Sequence, residues 1–154
     1  MNRGESRVAS FIKGTIDRVT GQPPRALNVL IVDDEVPICN FVERVVQRAG
    51  HATMTAHSGA EALAAAASLD SVDLLITDLM MPQMNGDELA RRMLVLRPKL
   101  KVLYLTGFSE QLFKDRIALW QDEAFLEKPC SVRGLMEAVS LLVSGRVESP
   151  QPAR

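Results

Sequence analysis

The segment VLIVDDE at residues 29–35 carries the strongest architectural signal in the chain, because four apolar residues run directly into three acidic ones. A short, wholly apolar run is typical of a strand buried on both faces of a parallel sheet. In open sheets of this kind, ligands bind beyond the carboxyl ends of the strands. The segment therefore predicts a buried first strand with a functional site at its end.

Similar apolar runs recur along the chain and alternate with segments of helical period. The helical segments open on capping or first-turn residues, such as the Ser58–Glu61 pair, and the first is predicted to stop at Gly50. A fourth helix is predicted from Ser109, and a last one from Ser131. Five strands alternating with five helices predict an α/β fold, a doubly wound five-stranded parallel sheet covered on both faces. The predicted strands are residues 29–32, 52–56, 73–77, 101–105 and 124–126.

Composition limits the classes of function. The 154 residues allow one domain of ordinary size, and the formal net charge of -1 gives no electrostatic footprint for nucleic acid. No apolar run is long enough to span a membrane, and no signal-peptide pattern opens the chain. We therefore expect a soluble, cytoplasmic protein that uses neither nucleic acid nor a membrane as partner. Cys39 and Cys130 are expected to be reduced thiols, with a disulfide or a metal pair as the alternative.

Residues 1–26 differ from the rest of the chain. Apolar residues fall on one helical stripe there, and the stretch breaks at a Gly-Gln-Pro-Pro sequence. It is interpreted as an N-terminal extension and linker, either a leader without a role or a short amphipathic helix that binds a partner or dimerises. The stripe consists of Val8, Phe11, Ile12, Thr15 and Val19.

Polar residues stand at the carboxyl ends of four predicted strands. Asp33 and Asp34 follow the first strand, Asp78 the third, Thr106 the fourth and Lys128 the fifth. An aspartate after a single strand is ordinary turn chemistry. All four strand ends together instead predict one acidic pocket, provided that the first and third strands are neighbours.

Converging carboxylates need a positive partner, since two unit charges 4 Å apart repel by about 4 kcal/mol at an effective dielectric constant near 20. Mg²⁺ prefers a few carboxylates with water and phosphate oxygens, and Lys128 would supply a second, movable charge. The same arrangement suits phosphoryl transfer, in which an aspartate attacks phosphorus and the cations stabilise the transferring oxygens. Asp78 is the candidate nucleophile.

The chain resembles the receiver domains of two-component response regulators, the CheY-like family, over about residues 27–146. The resemblance implies a flavodoxin-like sheet of order 2-1-3-4-5. Residues 147–154 lie outside it and are expected to be a flexible tail. The motifs that carry it are Val32-Asp33-Asp34-Glu35, Thr77-Asp78-Leu79-Met80-Met81-Pro82-Gln83-Met84-Asn85-Gly86, Leu105-Thr106-Gly107 and Glu127-Lys128-Pro129.

The resemblance implies a role for each matching position. It also implies a cis peptide bond before Pro129. The implied roles are the phosphoacceptor for Asp78, Mg²⁺ ligation for Asp33, Asp34, Asp78 and the backbone carbonyl of Met80, phosphoryl contacts for Thr106 and Lys128, and a switch pair for Thr106 and Phe125.

By the same resemblance, the donor is a histidine kinase or a histidine phosphotransfer protein. The chain would be a phosphoacceptor switch rather than an enzyme. It would phosphorylate itself from a donor and slowly hydrolyse the aspartyl phosphate. Phosphorylation would alter a face built from the predicted fourth helix, the fifth strand and the last helix. The downstream protein that binds this face is unknown, and a homodimer is left open.

The sequence is compatible with three functions. The first is a stand-alone receiver that binds a protein and has no DNA-binding output domain. The second is a phosphorelay intermediate or the receiver fragment of a hybrid histidine kinase. The third is a Mg²⁺-dependent aspartyl phosphatase, which generally needs a second acid two residues after the nucleophile, where this chain has Met80.

Overall fold

The computed structural model describes residues 25–107 and 122–144 and contains a five-stranded sheet of order β2-β1-β3-β4-β5. Every neighbouring pair of strands is parallel. The predicted fold class and strand order are confirmed, and β1 does neighbour β3, which the predicted pocket required. The strands are β1 Asn28–Val32, β2 Ala52–Ala56, β3 Leu74–Asp78, β4 Lys101–Thr106 and β5 Glu123–Glu127.

Four helices lie within the described part of the chain. They are α1 Val36–Arg48, α2 Gly59–Ser68, α3 Gly86–Leu96 and α4 Val132–Ser144. The predicted helix from Ser109 falls within residues 108–121, outside the described residues, so α4 corresponds to the predicted fifth helix. The stripe at residues 8–19 and the tail at 147–154 also lie outside them.

Of the three predicted serine caps, Ser109 lies outside the described residues, and the other two are present. The Ser58 hydroxyl accepts a hydrogen bond from the Glu61 amide at 3.1 Å, and the Ser131 hydroxyl accepts one from the Gly134 amide at 3.0 Å. The Glu61 carboxylate reaches back to the His57 amide at 3.1 Å, one residue before the cap. These bonds satisfy amides at the starts of α2 and α4, which have no partner within the helix.

Two glycines are required by the backbone itself. Gly50, just past the end of α1, has φ of 94°, a left-handed conformation that glycine adopts without a steric penalty. Gly86 opens α3 so close to the end of β3 that an added Cβ would lie 2.1 Å from the carbonyl oxygen of Asp78. Gly86 therefore lets the loop after Asp78 fold back tightly against the strand.

The core forms two layers, one on each face of the sheet, as expected for strands that alternate their side chains between two covered faces. Helices α2 and α3 cover one face, and α1 and α4 cover the other. No helix within residues 25–107 or 122–144 is both long and apolar enough to cross a membrane. Buried members of the first layer include Leu30, Val32, Ala62, Leu75, Leu89 and Met93; those of the second include Ile31, Val42, Leu74, Ile76, Leu103 and Leu135.

Candidate functional site

Three carboxylates meet at the carboxyl edge of the sheet. Asp33 and Asp34 follow β1 and Asp78 ends β3, and each offers an oxygen atom within 4.8 Å of the others. Asp33 is 1% exposed and Asp78 is 8% exposed, whereas Asp34 faces solvent. The structure thus brings together the three acids that the sequence places at neighbouring strand ends.

The Lys128 side chain enters this cluster from the end of β5. Its Nζ lies 2.7 Å from Asp33 Oδ2, 3.4 Å from Asp78 Oδ2 and 3.8 Å from Glu35 Oε2. Its backbone amide donates to the Thr106 carbonyl at 2.9 Å, which ties the loop after β5 to the end of β4. The peptide bond from Lys128 to Pro129 is cis, as the resemblance implied. Glu35 was not predicted as a partner of the lysine.

The pKa values of Asp78 and Lys128 are both raised in the pocket, but for different reasons. Burial, followed by the charge of Asp33, raises the pKa of Asp78 to about 6, although Lys128 and the Met80 amide oppose this shift. Burial lowers the pKa of Lys128, but its hydrogen bond to Asp33 and the charges of Asp33 and Asp78 outweigh burial and raise it. At neutral pH the pocket therefore holds a buried carboxylate beside a firmly protonated amine.

The raised pKa of Asp78 predicts that removing its charge stabilises the folded protein. A carboxyl group whose pKa is higher in the folded state stabilises the fold below the unfolded pKa, and this contribution is lost as pH rises through the folded value, here about 6. Without divalent metal, Asp78→Asn should therefore raise the free energy of unfolding at pH 7.5 by about 2 kcal/mol, a gain that shrinks towards pH 4. Urea titrations at several pH values in EDTA measure this difference.

The matched control is Asp70→Asn, since Asp70 is exposed. Its effect on the free energy of unfolding at pH 7.5 should be small. A loss of stability in Asp78→Asn at pH 7.5 would contradict the assignment of a costly buried charge.

Thr106 and Phe125, the predicted switch pair, lie at the carboxyl end of β4 and in β5. Thr106 is buried, and Phe125 is half-buried and stacks on Tyr104 with ring centroids 4.9 Å apart and planes at 15°. The Tyr104 hydroxyl donates to Glu123 Oε1 at 3.2 Å. Tyr104 and Glu123 were missed from the sequence, because their contact depends on the register of β4 against β5, which pairs Tyr104 with Phe125.

The loop that follows Asp78 returns at once to the sheet. The Leu79 amide donates to the Leu105 carbonyl at 3.2 Å, and the Gly86 amide donates to the Leu79 carbonyl at 2.8 Å. Between them, Met80 is 44% exposed, and its amide hydrogen-bonds the Asp78 carboxylate. Ligation of a metal by the Met80 carbonyl stays a prediction.

No disulfide joins the two cysteines, Cys39 and Cys130. Burial raises the pKa of Cys39 to about 11 and also raises that of Cys130. The Cys39 thiol is buried and donates to the Asp33 carbonyl at 3.4 Å. Thiols with raised pKa values are poor nucleophiles and poor metal ligands.

A doubly wound parallel sheet, with three carboxylates and a lysine at its carboxyl edge, defines the receiver domains of two-component signalling. The chain belongs to this family: the response regulator receiver domain matches residues 29–140. Receiver domains act as phosphoacceptor switches, bind Mg²⁺ at an acidic pocket and interact with histidine kinases or phosphotransfer proteins.

Among curated proteins, the chain is similar to the response regulator receiver protein CpdR of Brucella abortus, with 29% identity over 115 residues, 75% of this chain and 95% of CpdR. It is also similar to the sensor kinase CckA of the same organism, with 32% identity over 112 residues, 72% of this chain but 12% of CckA.

Solved structures agree with these relatives. A response regulator receiver protein of Sinorhizobium medicae superposes with a TM-score of 0.68 at 27% identity, covering 77% of this chain and 95% of that one. The receiver domain of the hybrid histidine kinase CckA superposes with a TM-score of 0.63 at 26% identity, covering 75% of this chain and 98% of that one.

Proposed function

We propose that this chain accepts a phosphoryl group on Asp78 from a histidine kinase or a histidine phosphotransfer protein, and that the modification switches a protein-binding face. The observation that supports the proposal best is the convergence on Asp78, whose carboxylate lies in the three-acid cluster and 3.4 Å from Lys128 Nζ. The residues that match the receiver-domain family, 29–140, fall inside the proposed domain at 27–146. We propose that the protein acts in the cytoplasm.

The proposed reaction uses the Asp78 carboxylate as nucleophile. One carboxylate oxygen attacks the phosphorus of a phosphohistidine, the P–O bond forms, and the P–N bond breaks with its electron pair going to the imidazole nitrogen. The nucleophile must be unprotonated, and a pKa of about 6 leaves Asp78 mostly charged at neutral pH. Lys128, 3.4 Å from Asp78, and Thr106, at the end of β4, would bind oxygens of the transferred group.

The donor set suits a hard divalent cation. Asp33, Asp34 and Asp78 offer carboxylate oxygens alone, and in the described structure Lys128 is the cation closest to the two buried acids. We propose that these three acids, with the Met80 carbonyl, would hold Mg²⁺. When bound, Mg²⁺ would supply charge neutralisation for the transferring oxygens.

Asp34→Asn is expected to weaken Mg²⁺ binding while leaving the fold intact, because Asp34 is exposed. Removing one carboxylate from a three-acid site should raise the Mg²⁺ dissociation constant by about tenfold, equivalent to about 1.4 kcal/mol. Isothermal titration calorimetry on the full chain at pH 7.5 measures this constant. Asp70→Asn is the control, and an unchanged constant in Asp34→Asn would exclude Asp34 as a ligand.

For the output, we propose that the phosphoryl group draws the Thr106 side chain inward and that Phe125 then turns into the vacated space. Phe125 now stacks on Tyr104, so its rotation would break that stack and alter the surface of β5 and α4. This surface would bind an unknown downstream protein or, in a homodimer, a second copy. A ligand biases two states only if it interacts differently with them, which the move of Thr106 would provide.

The two relatives support different pathways. Similarity to CpdR, of which the chain covers 95%, supports a stand-alone receiver, which is our first choice. Similarity to the receiver of the hybrid kinase CckA supports a relay intermediate or a fragment of such a kinase. Incubating the phosphorylated chain with a histidine phosphotransfer protein distinguishes these two functions. Rapid transfer of the label supports the relay, and retention of the label supports the stand-alone receiver.

A further inference from the structure

An apolar groove lies between α2 and α3, away from the acidic site. Its volume is about 290 Å³, and it is formed by the later turns of both helices. Both helices start at the carboxyl edge of the sheet and run back, so the groove lies towards the opposite edge. It is lined by Leu63, Ala66, Ala67, Met93, Leu96 and Arg97.

Large apolar side chains remain exposed at this groove. Leu96, which forms part of its wall, is 76% exposed, and the neighbouring Val95 is 81% exposed. A single exposed apolar residue needs no explanation, but an exposed leucine in the wall of an apolar groove adds apolar surface that a bound segment would cover.

Arg97 fixes the walls of the groove in place. Its guanidinium donates to the carbonyls of Ala66 and Leu69, each at 2.9 Å, and so satisfies carbonyls at the end of α2. These bonds hold the end of α3 against the end of α2. The groove is therefore preformed, which lowers the entropic cost of binding.

The chain enters the described domain beside the same end of α2. The Arg25 guanidinium pairs with the Asp73 carboxylate at 2.7 Å, and the Asn28 side-chain amide donates to the Ser71 hydroxyl at 2.6 Å. Leu69, which binds Arg97, is four residues before Asp73, and four residues span at most roughly 14 Å. The first described residue thus lies close to the groove.

We propose that residues 8–19 of this chain bind the groove in cis through their apolar stripe. The five residues 20–24 can span roughly 18 Å, which is enough to reach from Arg25. A cavity of roughly 150 Å³ holds a benzene molecule. The larger groove therefore has room for the Phe11 ring and the Ile12 side chain. A short tether gives the segment an effective concentration near the millimolar range, so weak contacts suffice.

Amide hydrogen exchange on the full-length chain tests this proposal. Residues 8–19 should exchange on the order of tenfold more slowly than in Phe11→Glu or Leu96→Glu, because either charge would oppose burial of the stripe. The matched control is Leu141→Glu on α4, since Leu141 is likewise exposed, at 50%, but lies on the opposite face of the sheet from the groove. That variant should retain the slow exchange.

Three results would overturn the proposal. The first is rapid exchange of residues 8–19 in the unmodified chain, and the second is slow exchange that Leu96→Glu does not change. The third is protection that rises with protein concentration together with a dimer mass in analytical ultracentrifugation, which would assign the groove to a second copy. Unchanged exchange of the strand amides in Leu96→Glu shows that the variant is folded.

Discussion

Asp78→Asn is expected to abolish labelling of the chain by a small phosphodonor such as acetyl phosphate. The asparagine amide is nearly isosteric but lacks the anionic oxygen that attacks phosphorus, so the initial rate should fall by roughly 10³-fold or more. Asp33 is a poor substitute nucleophile, because its two oxygens are bound to Lys128 Nζ at 2.7 Å and to the Glu35 amide at 2.9 Å. Intact-mass spectrometry after incubation with the donor and Mg²⁺ measures the phosphorylated fraction.

The control for this experiment is again Asp70→Asn, which should be labelled at the rate of the unmodified chain. Unfolding is a poor explanation for a negative result, since Asp78→Asn is expected to be the more stable protein at pH 7.5. Peptide mapping identifies the residue that carries the label. Release of the label by hydroxylamine is the expected property of an acyl phosphate. Equal labelling of Asp78→Asn, or a label on another carboxylate, would remove the main functional proposal.

The location of the site could be predicted because parallel strands place their carboxyl ends at one edge of the sheet. Asp33 lies one residue past the end of β1, and Asp78 is the last residue of β3. Because these two strands are neighbours, the two carboxylates come together. Lys128 follows from the same rule applied to β5. Their chemical roles remain predictions, since geometry alone does not report a reaction.

Contacts between distant segments could not be predicted in this way. The buried Tyr104–Glu123 hydrogen bond depends on the register of β4 against β5, which no local pattern specifies. Leu96 continues the apolar period of the buried Leu89 and Met93 in α3, yet it is 76% exposed. Periodicity identifies the face of a helix, but it does not say how far the neighbouring helix extends to cover that face.

Lys128→Met should destabilise the metal-free protein by about 3 kcal/mol at pH 7.5, because it leaves a buried carboxylate without its partner. Asp33 is 1% exposed and its closest cation is Lys128 Nζ at 2.7 Å, so the charge cannot be hydrated without opening the pocket. Methionine retains much of the apolar stem, which separates the loss of charge from the loss of packing. Urea titration in EDTA gives the free energy of unfolding, and Lys99→Met, at an exposed lysine, should change it little.

Adding Mg²⁺ to Lys128→Met tests whether the metal and the lysine amine neutralise the same carboxylates. A metal bound only by the folded state stabilises it by about 2.7 kcal/mol at 100 times the dissociation constant. The gain should be larger in Lys128→Met than in the unmodified chain, because the lysine no longer competes for Asp33 and Asp78. If the variant loses the same stability with and without Mg²⁺, Lys128 stabilises the domain through its packing and the three acids do not share a metal. If Mg²⁺ removes most of the loss, amine and metal act as alternative neutralising charges for the same carboxylates.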